Sequence, residues 1–422
     1  MRNKPIKTAK VTPYKLKRIW KPALLTLLVL VGLLILVEVA QSKGWTAYTA
    51  ADGLADEGIR SIAVATDDTV WVVTREGSVS HFNGDIWIAY TTADGLPRGA
   101  VSSIAVAPDA TVWVVTCEGS VSHFDGKTWT TYTGADGLTD AKLWSIAVAL
   151  DGTVWIGIRG GSVSHFDGES WITYITADGL ADSWVTSIAV AADGTVWVGY
   201  YSDGLSHFNG ETWTTYTTAD GLADNRVNSI TAAHDSTLWF GTPHAGISHF
   251  DGETWTTYTR ADGLTDERVW SVAVAPDDTV WVGTYSGRIS HFDGQTWTTY
   301  TSANSGLTSD YDHNSDLVVD SKGRLWIGSS GVQVFDERMS LDPRVLSILA
   351  PVRVILWVLC MAILVLLANV WIVSRKSKPV TPSILKQIWK TTLLTLLVLV
   401  GLLIIVSLIV GYLAIMAATG NL

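Results

Sequence analysis

Cysteine is nearly absent from this sequence, which has only Cys117 and Cys360 among its 422 residues. Two thiols cannot supply a disulfide framework, a four-cysteine zinc site or a haem attachment motif. Charged residues are also scarce, at 16%, whereas hydrophobic residues make up 48% and there are 21 tryptophans. This composition excludes a disordered chain. We therefore expect folded cores that are held by packing alone.

Positive charge is lacking from the middle of the chain. Between Ser42 and Arg344 there are 39 acidic residues and 15 basic ones, a net charge of −24, although the whole chain carries −11. A domain this acidic repels phosphate backbones and anionic lipid surfaces. Nucleic acid is therefore excluded as a partner.

Three long apolar runs stand apart from this acidic region. They are residues 22–39, 354–373 and 393–417. Each has the length needed to cross about 30 Å of hydrocarbon. We therefore predict three transmembrane helices, with the lipid bilayer as a partner.

Lysines and arginines gather beside these runs, in residues 1–21 and 374–391. Because basic residues near a span stay on the cytoplasmic side, both segments are predicted to be cytoplasmic. The chain is then a multi-pass cell-membrane protein with its acidic region outside. A cleaved signal peptide is the competing interpretation of the start of the chain. Against it, the stretch at 11–37 has a near copy at 380–406, where no secretory signal would act.

A unit of 42 residues repeats through the acidic region. Six near copies of the letters HFDGETWTTYTRADGL begin at His81, His123, His165, His207, His249 and His291. A tryptophan series with the same spacing runs Trp45, Trp87, Trp129, Trp171, Trp213, Trp255 and Trp297. A fixed period near forty residues indicates a repeat architecture.

Each period carries signals for four short antiparallel strands, here named A to D. Runs such as VSSIAVA and TVWVVT predict strands A and B, and the Asn-Gly or Asp-Gly pair after each His-Phe predicts a type I′ hairpin turn between C and D. Such sheets are apolar on both faces and must stack on one another. The first element, at 45–49, is a lone D strand, and the last unit, at 317–335, has no D strand. We therefore predict an all-β seven-bladed propeller at residues 45–338, closed by one blade that both ends share.

The residues also carry a family resemblance. The pattern W-x-x-Y-T-x-x-D-G-L, then D-G-T-V-W-V-G, then SHFDG resembles the two-component regulator propeller repeat, which occurs in sensory ectodomains of bacterial hybrid histidine kinases. The resemblance covers residues 45–338, about 70% of the chain, and implies the propeller fold and a role in sensing. The predicted cytoplasmic segments have no room for a kinase domain, so signalling is expected to pass through another protein.

The repeated letters make a poor active site, because catalysis needs one asymmetric constellation and these letters recur around a ring. The strand C histidines are expected to pack or hydrogen-bond against a neighbouring blade, with Val334 in the seventh place. The Asp of each ADGL, such as Asp94, is expected to form an Asx-type turn at the start of the D to A connection. We therefore expect no enzyme activity, no cofactor and no metal.

Information about a ligand is expected where the copies differ, namely in the B to C loops and at the entries to strand A. In a propeller these two sets of loops share one face and surround the axial channel. Aromatic rings mixed with charged groups suit a small polar ligand or a loop of a protein partner. The candidates in the B to C loops are Arg75, Glu76, Glu118, Arg159, Tyr200, Tyr201, Asp203, His244, Tyr285 and Arg288. The candidates at the entries are Arg60, Lys142, Trp144, Trp184, Arg226, Arg268 and Trp270.

Three classes of function remain open on the sequence. The first is a membrane-anchored sensor that binds an extracytoplasmic ligand or a membrane or periplasmic protein, on the face away from the bilayer. The second is a non-catalytic structural subunit of a bacterial membrane complex. The third is a propeller lyase, for which only His244 and His313 could serve as the axial histidine. The turns of the ALDGTVW type also resemble those of sialidases, but no arginine cluster with a tyrosine nucleophile accompanies them.

Overall fold

The computed structural model describes residues 24–34, 44–139, 141–301, 307, 316–336, 356–361, 363–364 and 367–368. Its strands all belong to one compact unit, Gly44–Ser340. Within that unit the described residues form seven antiparallel sheets of four strands. The predicted seven-bladed all-β propeller is confirmed.

The strands of blades 1 to 7 keep one order, from A to D, in every sheet. Strand A is Ile59–Val64, Val101–Val106, Leu143–Val148, Val185–Val190, Ser229–Ala232, Val269–Val274 and Asp316–Val319. Strand B is Val70–Thr74, Val112–Thr116, Val154–Ile158, Val196–Tyr200, Leu238–Gly241, Val280–Thr284 and Leu325–Ser329. Strand C is Val79–Phe82, Val121–Phe124, Val163–Phe166, Leu205–Phe208, Ile247–Phe250, Ile289–Phe292 and Gly331–Phe335. Strand D is Trp87–Tyr90, Trp129–Tyr132, Trp171–Tyr174, Trp213–Tyr216, Trp255–Tyr258, Trp297–Tyr300 and, for blade 7, Trp45–Tyr48.

The ring is closed by the first strand of the domain. Trp45 pairs with Phe335 and Tyr48 pairs with Val332, so Trp45–Tyr48 is the outer strand of blade 7. The predicted shared blade is thereby confirmed. Closure matters physically because it leaves no blade face open to water or to another chain.

The axis is surrounded by the seven A strands, each of which contacts the A strand of both neighbouring blades. The hydrophobic cores lie between blades rather than within them. One core, for example, joins Trp71 and Val73 of blade 1 with Val101, Val114 and Phe124 of blade 2. A single blade could not bury these side chains, which is why the repeat folds only as a stack.

The histidines of strand C pack, as the sequence predicted, but against a tryptophan of their own blade. His81 stacks on Trp71 of strand B with ring centroids 4.0 Å apart. Equivalent stacks occur at His123, His165, His207, His249 and His291. The two partners are directly opposite each other in the antiparallel register, which brings their side chains onto one face.

The turns confirm the hairpins but differ from the predicted turn types. Strands C and D of blade 2 are joined by four residues, 125–128, and only Gly126 among them has a positive φ. The Asp125 carboxylate accepts from the backbone N–H groups of Lys127 and Thr128, an Asx-type turn rather than a type I′ turn.

The Asp of ADGL closes a short 3₁₀ helix by a different bond from the expected one. Asp94 accepts from the backbone N–H of Thr91 at 2.8 Å, while the Thr91 hydroxyl accepts from Ala93. This is a capping box, not an Asx turn. The 3₁₀ helices are Ala50–Asp52, Thr92–Asp94, Gly134–Asp136, Thr176–Asp178 and Arg260–Asp262.

The prediction of three transmembrane helices is wrong for the described residues, and with it the prediction of a multi-pass cell-membrane protein. No helix in this part of the chain is long and apolar enough to cross a membrane. The third run, 393–417, lies outside the described residues.

Candidate functional site

A cavity of about 570 Å³ lies on the propeller axis. Its walls are formed by the first residues of the A strands, by B to C loop residues such as Arg159 and Tyr201, and by the D to A residues Trp184 and Arg226. The two sets of loops therefore do share one face and surround the axial channel, as the sequence predicted. We call this face the loop face.

A ring of serines forms one tier of the cavity wall. One comes from strand A of each of blades 1 to 6, and all are 42 residues apart: Ser61, Ser103, Ser145, Ser187, Ser229 and Ser271. We call these six residues the serine ring. Each of four members accepts a hydrogen bond from the N–H of a strand A residue in the next blade, as Ser145 does from Ile188 at 3.1 Å. The ring therefore joins blades and also presents hydroxyl groups to the cavity.

Asp316 takes the place of the serine in blade 7. Its Oδ2 accepts from the Ser61 hydroxyl at 3.0 Å and from the Ile62 N–H at 3.3 Å, both in blade 1. Its Oδ1 accepts from the Ser271 hydroxyl of blade 6 at 3.2 Å and from the Leu317 N–H at 3.0 Å. Burial raises the pKa of this carboxyl above its usual range, although the four hydrogen bonds oppose the rise. One carboxyl group thus joins the closing blade to both of its neighbours.

Arginines and aromatic rings contact one another along the mouth of the cavity. We call Arg60, Trp144, Arg159, Trp184, Tyr201 and Arg226 the Arg–aromatic arc; all six line the cavity. Arg60 and Arg159 lie over the Trp144 ring, with Cζ 5.0 and 5.3 Å from its centroid. These contacts place residues from blades 1 and 3 in one cluster.

The arc continues from Arg159 to the far side of the mouth. Arg159 also lies over Trp184, 4.3 Å from the ring centroid. The Trp184 and Tyr201 rings are 6.0 Å apart, and Arg226 lies 4.1 Å over Tyr201. The contacts of Arg159 with Trp184 and of Arg226 with Tyr201 are cation–π interactions between neighbouring blades, whereas Trp184 and Tyr201 both belong to blade 4. The arc is therefore set by the ring and not by any single repeat.

Eight of the seventeen predicted site residues line the cavity. They are Arg60, Arg75, Trp144, Arg159, Trp184, Tyr201, Arg226 and Trp270. The other nine are in the same loops or close to them but do not line it: Glu76, Glu118, Lys142, Tyr200, Asp203, His244, Arg268, Tyr285 and Arg288.

Tyr200 has a structural place instead of the predicted contact role. Its side chain is fully buried in the core between blades 3 and 4, and its hydroxyl donates to Ser206 Oγ at 3.0 Å. This burial raises the pKa of the phenol to about 12. Tyr200 is the last residue of strand B, where alternation directs it inward, whereas Tyr201 is half-exposed at the cavity.

Arg268 is paired with a carboxylate, whereas, among the described residues, the arginines of the arc are not. Its Nη2 and Nε donate to the two oxygens of Asp266, at 2.8 and 3.2 Å. Asp266 is itself buried, and these bonds with the arginine hold the pKa of its carboxyl below its usual value against the effect of burial. This pair stabilises the entry to blade 6 and leaves little charge for a ligand.

The described residues contain no group of three or more metal-ligating side chains arranged to hold a metal ion. His244 is exposed in the B to C loop of blade 5 and does not line the cavity. The second histidine considered for a lyase, His313, lies outside the described residues.

Sequence reasoning missed the serine ring and Asp316. The signal was present, because the six serines follow the 42-residue step and Asp316 follows Ser271 by 45 residues, after the three-residue insertion. Because the serines recur at the same place in every copy, the search for variation between copies passed over them. Only the tertiary structure shows that this scaffold position faces the axis.

No protein-family model and no curated protein sequence matches the chain. Solved structures share its fold. The extracellular domain of the hybrid two component system BT3049 from B. thetaiotaomicron aligns with a TM-score of 0.61 at 17% identity, over 70% of this chain and 41% of that one. This chain therefore corresponds to less than half of the BT3049 domain.

Two further propellers are similar at the same level. Virginiamycin B lyase from Staphylococcus aureus has a TM-score of 0.57 at 14% identity, over 69% of this chain and 98% of the lyase. PorZ, a surface component of the type-IX secretion system of Porphyromonas gingivalis, has a TM-score of 0.56 at 17% identity, over 69% of this chain and 48% of PorZ. Because a sensor domain, an enzyme and a secretion component all share this architecture, the likeness establishes the fold alone.

Proposed function

We propose that this chain is a non-catalytic recognition protein, which binds a ligand or a protein partner at the loop face and acts in sensing together with a partner. The observation that carries the proposal is the Arg–aromatic arc. It is the place where the repeat is broken by large, chemically distinctive side chains that converge on one cavity. A volume of about 570 Å³ lies within the range of roughly 300 to 1,000 Å³ that small-molecule sites have.

The sensing part of the proposal draws on two supports. The repeat resembles that of sensory ectodomains, and BT3049, which has this fold, is described as part of a hybrid two component system. Both supports are analogies between folds, so the site itself has to provide the test.

A second candidate is a structural role in a surface assembly. The likeness to PorZ, a component of a secretion system, favours it. In that case the loop face holds a protein loop instead of a small molecule, and aromatic and arginine anchors in a concave patch suit this occupant as well.

The lyase alternative has less support from the cavity. The described residues that line it include no histidine, and the residues of this part of the chain form no metal-binding group. We therefore keep the proposal non-catalytic.

The test is binding by the full chain with the aromatic part of the loop face removed. In W184A/Y201A the half-exposed rings of Trp184 and Tyr201 are lost, and we expect the affinity for any ligand or captured partner to fall by about tenfold or more. The matched control is I86A/I88A, which removes two exposed apolar side chains from the outer C to D region of blade 1. Binding that is unchanged in W184A/Y201A, or lost equally in the control, would contradict the proposal.

A further inference from the structure

The charge of the axial cavity is opposite to that of the domain around it. Four arginines line the cavity, Arg60, Arg75, Arg159 and Arg226, against one carboxyl group, that of Asp316. The region from Ser42 to Arg344 carries −24. In such an acidic domain a cavity is expected to be lined mainly by acidic side chains, whereas the described lining has more arginines than carboxyl groups.

Three of these guanidinium groups have no acidic partner in the described part of the chain. Arg60, Arg159 and Arg226 form none of its ion pairs, which are made by Arg260, Arg268, Arg324, Lys322 and His234. The Nε of Arg226 is buried without a hydrogen-bond acceptor. A buried donor without an acceptor costs free energy, and a bound oxyanion would remove that cost.

The arc holds these cations in a way that preserves their donors. A guanidinium stacked on an aromatic ring uses its flat face, whereas its five N–H groups lie in its plane and point away from the ring. The Cζ of Arg159 lies over the rings of both Trp144 and Trp184, and that of Arg226 over the ring of Tyr201. The rings therefore fix the positions of the arginines without neutralising their charge.

The single carboxyl group of the lining is already engaged by the scaffold. Asp316 already accepts four hydrogen bonds from blades 1, 6 and 7, so its oxygens are directed at the scaffold. The rest of the tier is the serine ring, which adds neutral hydroxyl groups. The cavity thus combines fixed guanidinium donors at its mouth with uncharged donors and acceptors in its wall.

We propose that the axial cavity binds a small organic anion, whose carboxylate or phosphate group accepts hydrogen bonds from the guanidinium groups of Arg60, Arg159 and Arg226. Carboxylate and phosphate share the oxygen geometry that arginine recognises. The hydroxyl-bearing remainder of the anion lies against the serine ring. This inference rests on the proposed function, because it names the class of ligand for the same site.

The experiment uses the purified full chain and isothermal titration calorimetry with matched probes. Glucuronate and glucose 6-phosphate are each compared with glucose, which lacks the anionic group. Inorganic phosphate is the third anion. We expect the two sugar anions to bind and glucose to bind at least about tenfold more weakly. The sugar anion that binds more tightly then shows whether the site prefers a carboxylate or a phosphate group. Binding of the anions should weaken as salt is raised, since salt screens charge.

Variants of the arc provide the decisive comparison. R159Q/R226Q keeps much of the side-chain volume and removes two charges, and we expect anion affinity to fall by about tenfold for each guanidinium, a factor that corresponds to about 1.4 kcal/mol. R159K/R226K keeps the charge but loses the planar fork, and should lose less affinity than the glutamine variant. The matched control is K127Q, at an exposed lysine in the C to D turn of blade 2 that does not line the cavity, and it should bind as the unchanged protein does. Thermal melting of each variant confirms that it is folded.

Equal binding of glucose and its anions, unchanged affinity in R159Q/R226Q, or no binding of any anion would overturn this inference. The proposed function fails separately. If W184A/Y201A still loses a neutral ligand or a protein partner while the arginine variants bind normally, the loop face is a recognition site but not one for anions. If neither set of variants changes any binding, both proposals fall.

Discussion

Blade 7 and the other six blades do the same structural work with different residues. In blades 1 to 6 a strand B tryptophan stacks on a strand C histidine, whereas in blade 7 Val334 occupies the histidine's place opposite Trp326. Trp326 instead donates from Nε1 to Asp320 at 2.9 Å and lies under Arg324. The histidine is therefore one of several ways to cover the tryptophan.

The same substitution occurs at the axis, where Asp316 replaces a serine and accepts from both neighbouring blades. The difference shows that the repeated residues have packing and hydrogen-bonding roles that other residues can also fill. A residue that can be replaced in the closing blade without loss of the fold is an architectural part. The Arg–aromatic arc, in contrast, lies at loop positions where the residue type differs from blade to blade.

The largest effect is expected from opening the closing blade. Trp326 is 1% exposed, and W326A removes both its packing and the donor to the buried Asp320. We expect a loss of about 3–5 kcal/mol in the free energy of unfolding, the range for large aromatic residues in cores, measured by urea denaturation. W184A, at a half-exposed tryptophan, is the control and should change stability by less than about 1 kcal/mol. Similar losses in the two variants would show that blade 7 does not hold the ring closed.

A smaller effect is expected at Asp316. D316A leaves the donors of Ser61 and Ile62 without their acceptor, and should cost about 1–3 kcal/mol. D316S copies the other six blades and should recover part of this loss, because a serine oxygen can accept from the Ile62 N–H as it does elsewhere in the ring. If D316S is as unstable as D316A, the equivalence of the two devices is wrong.

The pH dependence of the same position follows from its raised pKa. The folded chain holds the Asp316 proton more tightly than the unfolded chain, so its stabilising contribution is present at low pH and is lost as the pH rises through the folded-state pKa. D316N cannot ionise. We expect the unfolding free energy of D316N relative to the unchanged protein to rise as the pH increases above about 4, the ordinary pKa of an aspartate. A constant difference would contradict the assignment.

A gain of about 1 kcal/mol is expected from repairing one cap. The N-cap threonine of the other 3₁₀ helices is replaced in blade 3 by Ile175, which makes no side-chain cap bond and is 51% exposed. I175T should supply the bond that Thr91 makes to Ala93 while giving up little buried apolar area. A melting temperature that does not rise would show that the cap bond is without effect here.

The smallest effect for a single residue is expected at a strand C histidine. Burial lowers the pKa of His81, His123, His165, His207 and His249. The unfolded chain therefore binds protons more readily, and stability should fall as the pH drops below the ordinary histidine pKa of about 6.5. H207V, which copies Val334, should reduce this loss by the share of one histidine. Denaturation at several pH values measures this loss of stability. An identical loss in H207V and in the unchanged protein would contradict the burial argument.

Much of the fold could be predicted from the sequence, because the 42-residue step of Trp45 and its copies reports a local pattern of strands and turns. The closure by Trp45–Tyr48 also followed from the missing strands at each end. The spans were predicted from hydropathy and were wrong for the described residues. Turn types also differed, since Asp94 and Asp125 choose among local acceptor geometries that have similar sequence signatures.

The candidate site was only partly accessible to the same reasoning. Variation between copies drew attention to loops from which eight residues line the cavity, and their role in binding stays a prediction. It could not separate Tyr201 from the buried Tyr200, or the unpaired Arg159 from Arg268 with its partner Asp266. Adjacent letters in a loop share composition and variability, and their burial depends on neighbours that are far away in the chain.

The sequence by itself determined the number of blades and the strand order, because both depend on a period and on contacts within about forty residues. The strand that closes the ring followed from the incomplete units at the two ends of the repeat. Only the tertiary structure decided which side chains meet at the axis. Arg60, Trp144 and Arg226 come from different blades, and the contacts of the arc that runs from Arg60 to Arg226 exist only after seven sheets have closed into a circle. Cation–π and hydrogen-bond interactions act over a few ångströms, so no local pattern in the chain can report them.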